Sequence, residues 1–351
     1  MNNARGWLSN ADPALRRAWH VVARGNEVGT DPVQVKLLGE YWALVRLPSA
    51  DGESRLAAFL DRCPHRLAPL TAGRVVGSTL QCGYHGWCFD AEGVCTEIPS
   101  LLDSDRTPSR ARATVPAGLV EQDGLVFLAP EPPLTELLDV SIADDPTFRH
   151  GMLEPARARV GAGLMIDNFL DHAHFPFVHA ATIGTDEATV VHDLEVERHG
   201  FGMTVRSRHQ FPNHEDRGVQ QQVRPLLQER VLRYEYRAPF AVSLHMDYVE
   251  AGGTNVLDFF VQPEDDEHCR IYTVLHRNDL DDEHQLAEAI AFEQKVLDED
   301  LLLQEQFIDR RIPIDPTIEV HVRVDRPAVE MRRILTAFVD AASPVDSIPP
   351  D

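Results

Sequence analysis

Two short Cys–His pairs constrain this chain more than anything else in it. Cys63-Pro64-His65-Arg66 comes first, sixteen residues separate His65 from Cys82, and Cys82-Gly83-Tyr84-His85-Gly86-Trp87 follows. Two thiols and two imidazoles on two loops can close on one metal centre, and a tetrahedral zinc site uses the same four groups. Three features lean against zinc. The ligands alternate Cys-His, Cys-His, whereas zinc fingers pair Cys with Cys and His with His. A single residue separates Cys63 from His65, tighter than most zinc spacings. Glycines 83 and 86 are expected to bring backbone N–H groups close to the sulfurs. A mixed-ligand iron–sulfur cluster, with thiolates on one iron and imidazoles on the other, suits this pattern better.

The longer run carries a resemblance. Cys-Pro-His-Arg, Cys-x-Tyr-His-Gly-Trp and then Phe89-Asp90-x-x-Gly93-x-Cys95-x-x-Ile98-Pro99 resemble the Rieske domain of ring-hydroxylating and demethylating oxygenases. That resemblance implies a [2Fe-2S] cluster with Cys63 and Cys82 on the inner iron and His65 and His85 on the exposed one. Cys88 and Cys95 match no ligand position and read as small buried residues. Cys269 reads as part of a polar turn and receives no role. Five cysteines, four of them close together, point to a local metal site in a reducing compartment and not to a disulfide framework.

At 351 residues the chain suits two domains, or one domain carrying a substantial insertion. A formal charge of −23 argues against a nucleic-acid footprint. No apolar run reaches the roughly 18 residues of a membrane helix, and Met1 to Trp19 lacks a secretory pattern, so the expected location is the cytoplasm. Residues 1–130 read as short strands and turns, with a hairpin of Val33–Leu38 and Tyr41–Leu47 about Gly39-Glu40. Glycine-containing turns recur at residues 73, 77, 83, 86 and 93. Pro130, Pro132 and Pro133 mark the boundary. Residues 131–342 read as a second domain: a helical pattern over Met165–Val178, strands between Val190 and Arg277, and a long helix over Glu283–Arg310. Residues 343–351 form a proline- and acid-rich tail, expected to be disordered. The fold class is α+β, an all-β domain followed by an antiparallel sheet flanked by helices, helix-grip-like.

A second set of ligands lies in the second domain. Asn168-Phe-Leu-Asp171-His172-Ala-His174-Phe-Pro-Phe-Val-His179 crowds hard donors together, and two His with one carboxylate is the usual site of oxygen-activating Fe(II). Asp171 and His174 share a helix face. His174 and His179 would splay by roughly 140° on a straight helix, and Pro176 is expected to kink it and relieve the conflict. His172 and His179 also share a face, so spacing alone leaves His172 open. On the long helix the apolar stripe runs through Leu286, Ile290, Leu297, Leu301 and Ile308. Asp300 falls about 60° from Leu297 at the stripe's edge, while Asp298 and Glu299 are expected to point away. A carboxylate facing the core is costly unless paired or metal-bound, which makes Asp300 the third ligand.

The family pattern Asp-x-x-His-x-x-x-x-His favours His174 and His179 as iron ligands, with Asp300 in a segment resembling the one that supplies the carboxylate. It gives Asp171 the role of linking the mononuclear iron to the cluster of a neighbouring subunit, and it places Asn168 close to the iron. The length and the opening Arg17-Ala18-Trp19-His20 resemble the shorter branch, such as the oxygenase components of vanillate O-demethylase and dicamba monooxygenase. The resemblance implies a homotrimer served by a ferredoxin or an NAD(P)H-dependent flavoprotein reductase. It also implies O2-dependent hydroxylation or demethylation of a small aromatic or heteroaromatic molecule. Ring cis-dihydroxylation and bare electron transfer are the alternatives.

Overall fold

The computed structural model describes residues 6–49, 52–102, 104–180, 182–184, 190–213 and 217–343. The chain divides into two compact units, residues 16–133 and residues 1–15 with 134–351. Residues 6–15 therefore group with the second unit, where sequence places 1–130 together. The reason is local pairing. Trp7–Leu8 pairs antiparallel with Ile312–Pro313. The buried Asn10 donates to the carbonyls of Asp265 and His268 and accepts the N–H of Ala162. The expected tail falls outside the described residues from 344 onward.

Among the described residues, the unit of residues 16–133 holds three small antiparallel sheets. Its hairpin turns on Leu38-Gly39, not Gly39-Glu40: both residues take positive φ, 52° and 80°, and Leu37 faces Glu40. Two left-handed residues match the twist of a two-residue hairpin. The four-stranded sheet of Arg74–Val76, Thr79–Gln81, Cys88–Phe89 and Cys95–Glu97 carries the second Cys–His loop between its second and third strands. Cys63, Cys82 and Cys95 lie in one apolar core with Leu70, Leu80 and Phe89.

The other unit is an eight-stranded antiparallel sheet. Six strands run in sequence order: His192–His199, Gly202–Pro212, Leu227–Arg237, Ala241–Tyr248, Thr254–Asp265 and His268–Arg277. Arg149–Met152 and Ala156–Ala158 both pair with the last. Cys269 lies in that strand and is fully buried, so it is not in a polar turn; burial, aided by Glu264, raises its thiol pKa steeply.

Four helices concern the site. Helix α1 spans Ala162–Leu170 and α2 spans Phe175–Val178. The expected kink at Pro176 comes earlier. Asp171 is extended and its side chain accepts the N–H of Ala173, a turn that ends α1 before proline is reached. Pro176 instead sits in the first turn of α2, where its missing N–H costs nothing. Helix α3 spans Glu283–Gln304 and stops short of Arg310. Beyond the half-buried Leu301 its apolar stripe finds nothing to pack on, since Ile308 is fully exposed, and unpacked helix ends fray.

Residues 311–342, given no element from sequence, contain α4, Arg326–Ala342. It buries Met331, Ile334, Leu335, Phe338 and Val339, an amphipathic stripe of helical period. Arg332 is buried too, at 1% exposure, and it ties α4 to α1. It donates to both oxygens of Asp167 at 2.7 and 2.8 Å and to Glu319 at 2.8 Å. Replacing Arg332 with Met is expected to destabilise the chain by about 3 kcal/mol, because two carboxylates lose their counter-ion. Urea unfolding checks this, and a loss below about 1 kcal/mol would show the network to be marginal.

Candidate metal centres and their pocket

In the unit of residues 16–133 the two Cys–His loops are shaped by their own backbones. The carbonyl of Cys63 accepts the N–H of Leu67, and its N–H donates to Ala68. Cys82 does the same with Gly86 and Trp87. Burial pushes the Cys63 thiol up to about 11, against N–H bonds from His65 and Arg66, with nearby Cys82 adding to the rise. The amides that reach the Cys63 sulfur are thus those of His65 and Arg66. The glycines serve shape: a Cβ at Gly83 would lie 2.4 Å from the Ala72 carbonyl, and Gly86 takes φ +74°. The rings of His65 and His85 approach to 4.5 Å between centroids, and Trp87 stacks on His65 at 4.6 Å. Nδ1 of His65 is buried and finds no hydrogen-bond partner among the described residues. A buried lone pair with no protein donor fits a metal ligand.

The second set is tighter. His174 precedes α2 and His179 follows it, so the short helix holds the two rings across one turn. Their Nε2 atoms face each other at 3.2 Å. Asp300 Oδ1 of α3 lies 3.4 Å from the first and 3.2 Å from the second. Among the described residues these three donors form the group able to hold a metal ion, with ligand atoms within 4.8 Å of one another. The opposite ring edges are held by acids. His174 Nδ1 lies 3.3 Å from Asp171 Oδ2, and His179 Nδ1 lies 3.0 Å from Glu299 Oε2. Each Nδ1 so carries hydrogen and each Nε2 faces inward, where it can offer a lone pair to a metal that displaces the His174 proton.

Electrostatics repeats the point. Burial alone would lower the His174 pKa, but bonds to Asp171 and Asp300 outweigh it and raise it to about 9. Burial would raise Asp300, but His174 and His179 pull it down to about 2. The pocket demands positive charge, and a cation at this point competes with the His174 proton.

Asn168 donates to Asp300 Oδ1 at 3.1 Å, so it lies beside the trio as expected. His172, the rival, lies elsewhere. Its Nδ1 meets the Leu170 carbonyl, its ring packs on His209 and Tyr234, and burial with the charge of His209 lowers its pKa to about 3. Glu299 does not point away: it also accepts the Thr182 hydroxyl at 2.7 Å. Sequence could not find it, because the segment around α2 crosses a side of α3 that the helix's own apolar stripe does not mark.

The trio opens into a cavity of about 110 Å³, a small molecule's space. Its floor is set by sheet register. Arg230, Leu232 and Tyr234 alternate along one strand and face Tyr248, Met246 and Leu244 on the next. Phe169 of α1 stacks on Phe259 at 4.2 Å and closes another wall.

Known families match both units. The Rieske [2Fe-2S] domain family matches residues 18–108, and the vanillate O-demethylase oxygenase C-terminal domain family matches residues 158–341, over half the chain. The chain belongs to the Rieske oxygenases. It is 29% identical to methylxanthine N1-demethylase NdmA of Pseudomonas putida over 336 residues, covering 93% of this chain and 90% of that one. It is 36% identical over 180 residues to the oxygenase component of dicamba O-demethylase from Stenotrophomonas maltophilia, about half of each chain (49% and 50%). The structure of NdmB from Pseudomonas putida CBB5 superposes with a TM-score of 0.79 at 26% identity, covering 96% of this chain and 98% of that one. As a Rieske oxygenase component, this protein is an oxidoreductase of the monooxygenase and demethylase type. Its cofactors are a [2Fe-2S] cluster and mononuclear Fe(II), and its co-substrate is O2. Among the described residues no helix is long and apolar enough to cross a membrane.

Two outcomes are expected of the trio. Glu299→Ala frees the His179 ring and should weaken Fe(II) binding about 10- to 100-fold, read by iron titration of cluster-loaded protein. The metal-free chain should also be pH-sensitive. With the His174 pKa raised, its contribution to stability is complete below about 6.5 and is lost as pH rises through about 9. Melting curves across that window should fall for metal-free protein and stay flatter for iron-loaded protein.

Proposed function

We propose that this chain is the terminal oxygenase of a multicomponent system. It hydroxylates or oxidatively demethylates a small aromatic or heteroaromatic molecule, with electrons from NAD(P)H by way of a ferredoxin or a flavoprotein reductase. Cys63, His65, Cys82 and His85 hold the [2Fe-2S] cluster. His174, His179 and Asp300 hold the mononuclear iron. The observation that carries the reading is the pair of inward Nε2 atoms beside Asp300 Oδ1, opening onto an apolar cavity. The named activities of the relatives, N-demethylation of methylxanthines and O-demethylation of dicamba, support the reaction class.

When bound, the two centres supply single-electron delivery and activation of O2. The chain's residues supply the rest. Asp171 and Glu299 fix the two imidazoles through Nδ1. Asn168 holds Asp300 by its Oδ1, which fixes the carboxylate's orientation. Leu232, Leu244, Met246 and Phe259 exclude water and present an apolar wall to an aromatic body. Asp171, half-exposed behind His174, is the proposed point at which electrons enter from the cluster of a second copy. A cleft beside it exposes Leu303, Phe307 and Val320, which supports assembly as a homotrimer.

His174→Ala is expected to keep the reduced-cluster electron paramagnetic resonance signal, to lose the mononuclear iron and to abolish formaldehyde release from N- and O-methylated aromatics. Full turnover in that variant, or a colourless protein with stoichiometric zinc, would sink the proposal.

A further inference from the structure

Among the described residues, the cavity carries one cation without a counter-ion. Arg230 lines it from the strand Leu227–Arg237 and is 9% exposed. Among the described residues no carboxylate lies within ion-pair distance of its guanidinium, and its buried Nε finds no hydrogen-bond partner. The other charged groups on the cavity wall are all engaged. Arg277 is held by both oxygens of Asp279 at 2.7 Å. Glu293 accepts from Asn255 at 3.1 Å. His174, His179 and Asp300 belong to the metal trio. A buried cation without a partner is costly, and natural chains keep one where something else completes it.

The rings of Phe211 and Tyr248 lie over the guanidinium carbon, at 4.9 and 4.7 Å. Aromatic faces attract the cation but accept none of its in-plane N–H bonds. Those donors form a fork that matches a planar or tetrahedral oxyanion two bonds at a time. We propose that Arg230 is an anion subsite, and that the substrate carries a carboxylate or sulfonate on its aromatic body. The anion seats the molecule at this wall and leaves its other end toward the metal trio. This rests on the oxygenase reading of the cavity and narrows it to acidic aromatics.

Matched probes test it on the iron-loaded holoenzyme: 3- and 4-methoxybenzoate against 3- and 4-methoxybenzamide, which share shape and differ in charge. Calorimetry should show the acids binding at least about tenfold more tightly than the amides. Arg230→Met and Arg230→Gln should each cost the acids on the order of 10²-fold and the amides little, and Arg230→Lys should restore part of the preference. Ligand-free Arg230→Met should melt no lower than the parent, since it removes an unanswered buried charge. Equal binding of acids and amides, no binding of either, or an acid-to-amide ratio unchanged by Arg230→Met overturns the subsite. A lower melt with equal loss for both probes does so too, by making Arg230 a packing residue. The oxygenase reading fails separately: acids would still bind preferentially while no methyl group is released.

Discussion

Two imidazole nitrogens facing one another across 3.2 Å, with a carboxylate oxygen beside both, need positive charge between them in a buried pocket, a proton or a metal ion. Much of the second unit can be understood as support for that arrangement. Asp171 ends α1 and turns back to hold His174; α2 spans the gap to His179; α3 brings Asp300 and Glu299 to opposite sides of the same ring. Arg332 then fastens α1 to the C-terminal helix through Asp167, one residue before Asn168. A shift of any of these elements by an ångström would separate donors that a metal needs together.

The sheet does a different job. A run of hairpins needs little chain to build a broad floor, and its alternation puts every second side chain into the cavity. Strand Thr254–Asp265 is buried along nearly all its length, with helices and cavity covering what would otherwise face water. Specificity can change here by substituting single floor positions while the helices that hold the trio stay fixed. The fold separates what must be constant from what is free to vary.

The cluster loops, the His-rich segment and Asp300 were legible because their chemistry is dense in sequence: few residue types, short spacing, one purpose. The strands were legible in outline. What sequence concealed depends on long-range placement. Asn10 pins the N-terminus to residues some 250 positions away, which no local pattern announces. Pro176 looked like the break, yet Asp171 competes for the backbone first. Glu299 sits about 200° from Leu297 on the helical wheel, so its partner had to come from another segment. Arg230 received no role from sequence, and only sheet register shows it on the cavity wall.

These groups share a physical property. His65 Nδ1 and Arg230 Nε are buried polar atoms with no hydrogen-bond partner among the described residues, and the paired Nε2 atoms crowd a carboxylate that holds them only with a proton or a cation present. Each is a place where an occupant of opposite character would stabilise the folded chain: a metal ion at the nitrogens and, on the proposal above, an anion at the guanidinium. Stability given up at such positions is the ordinary accompaniment of a binding site. Folding, metal loading and substrate seating are then linked steps, because every occupant that binds the folded form also draws the chain toward it.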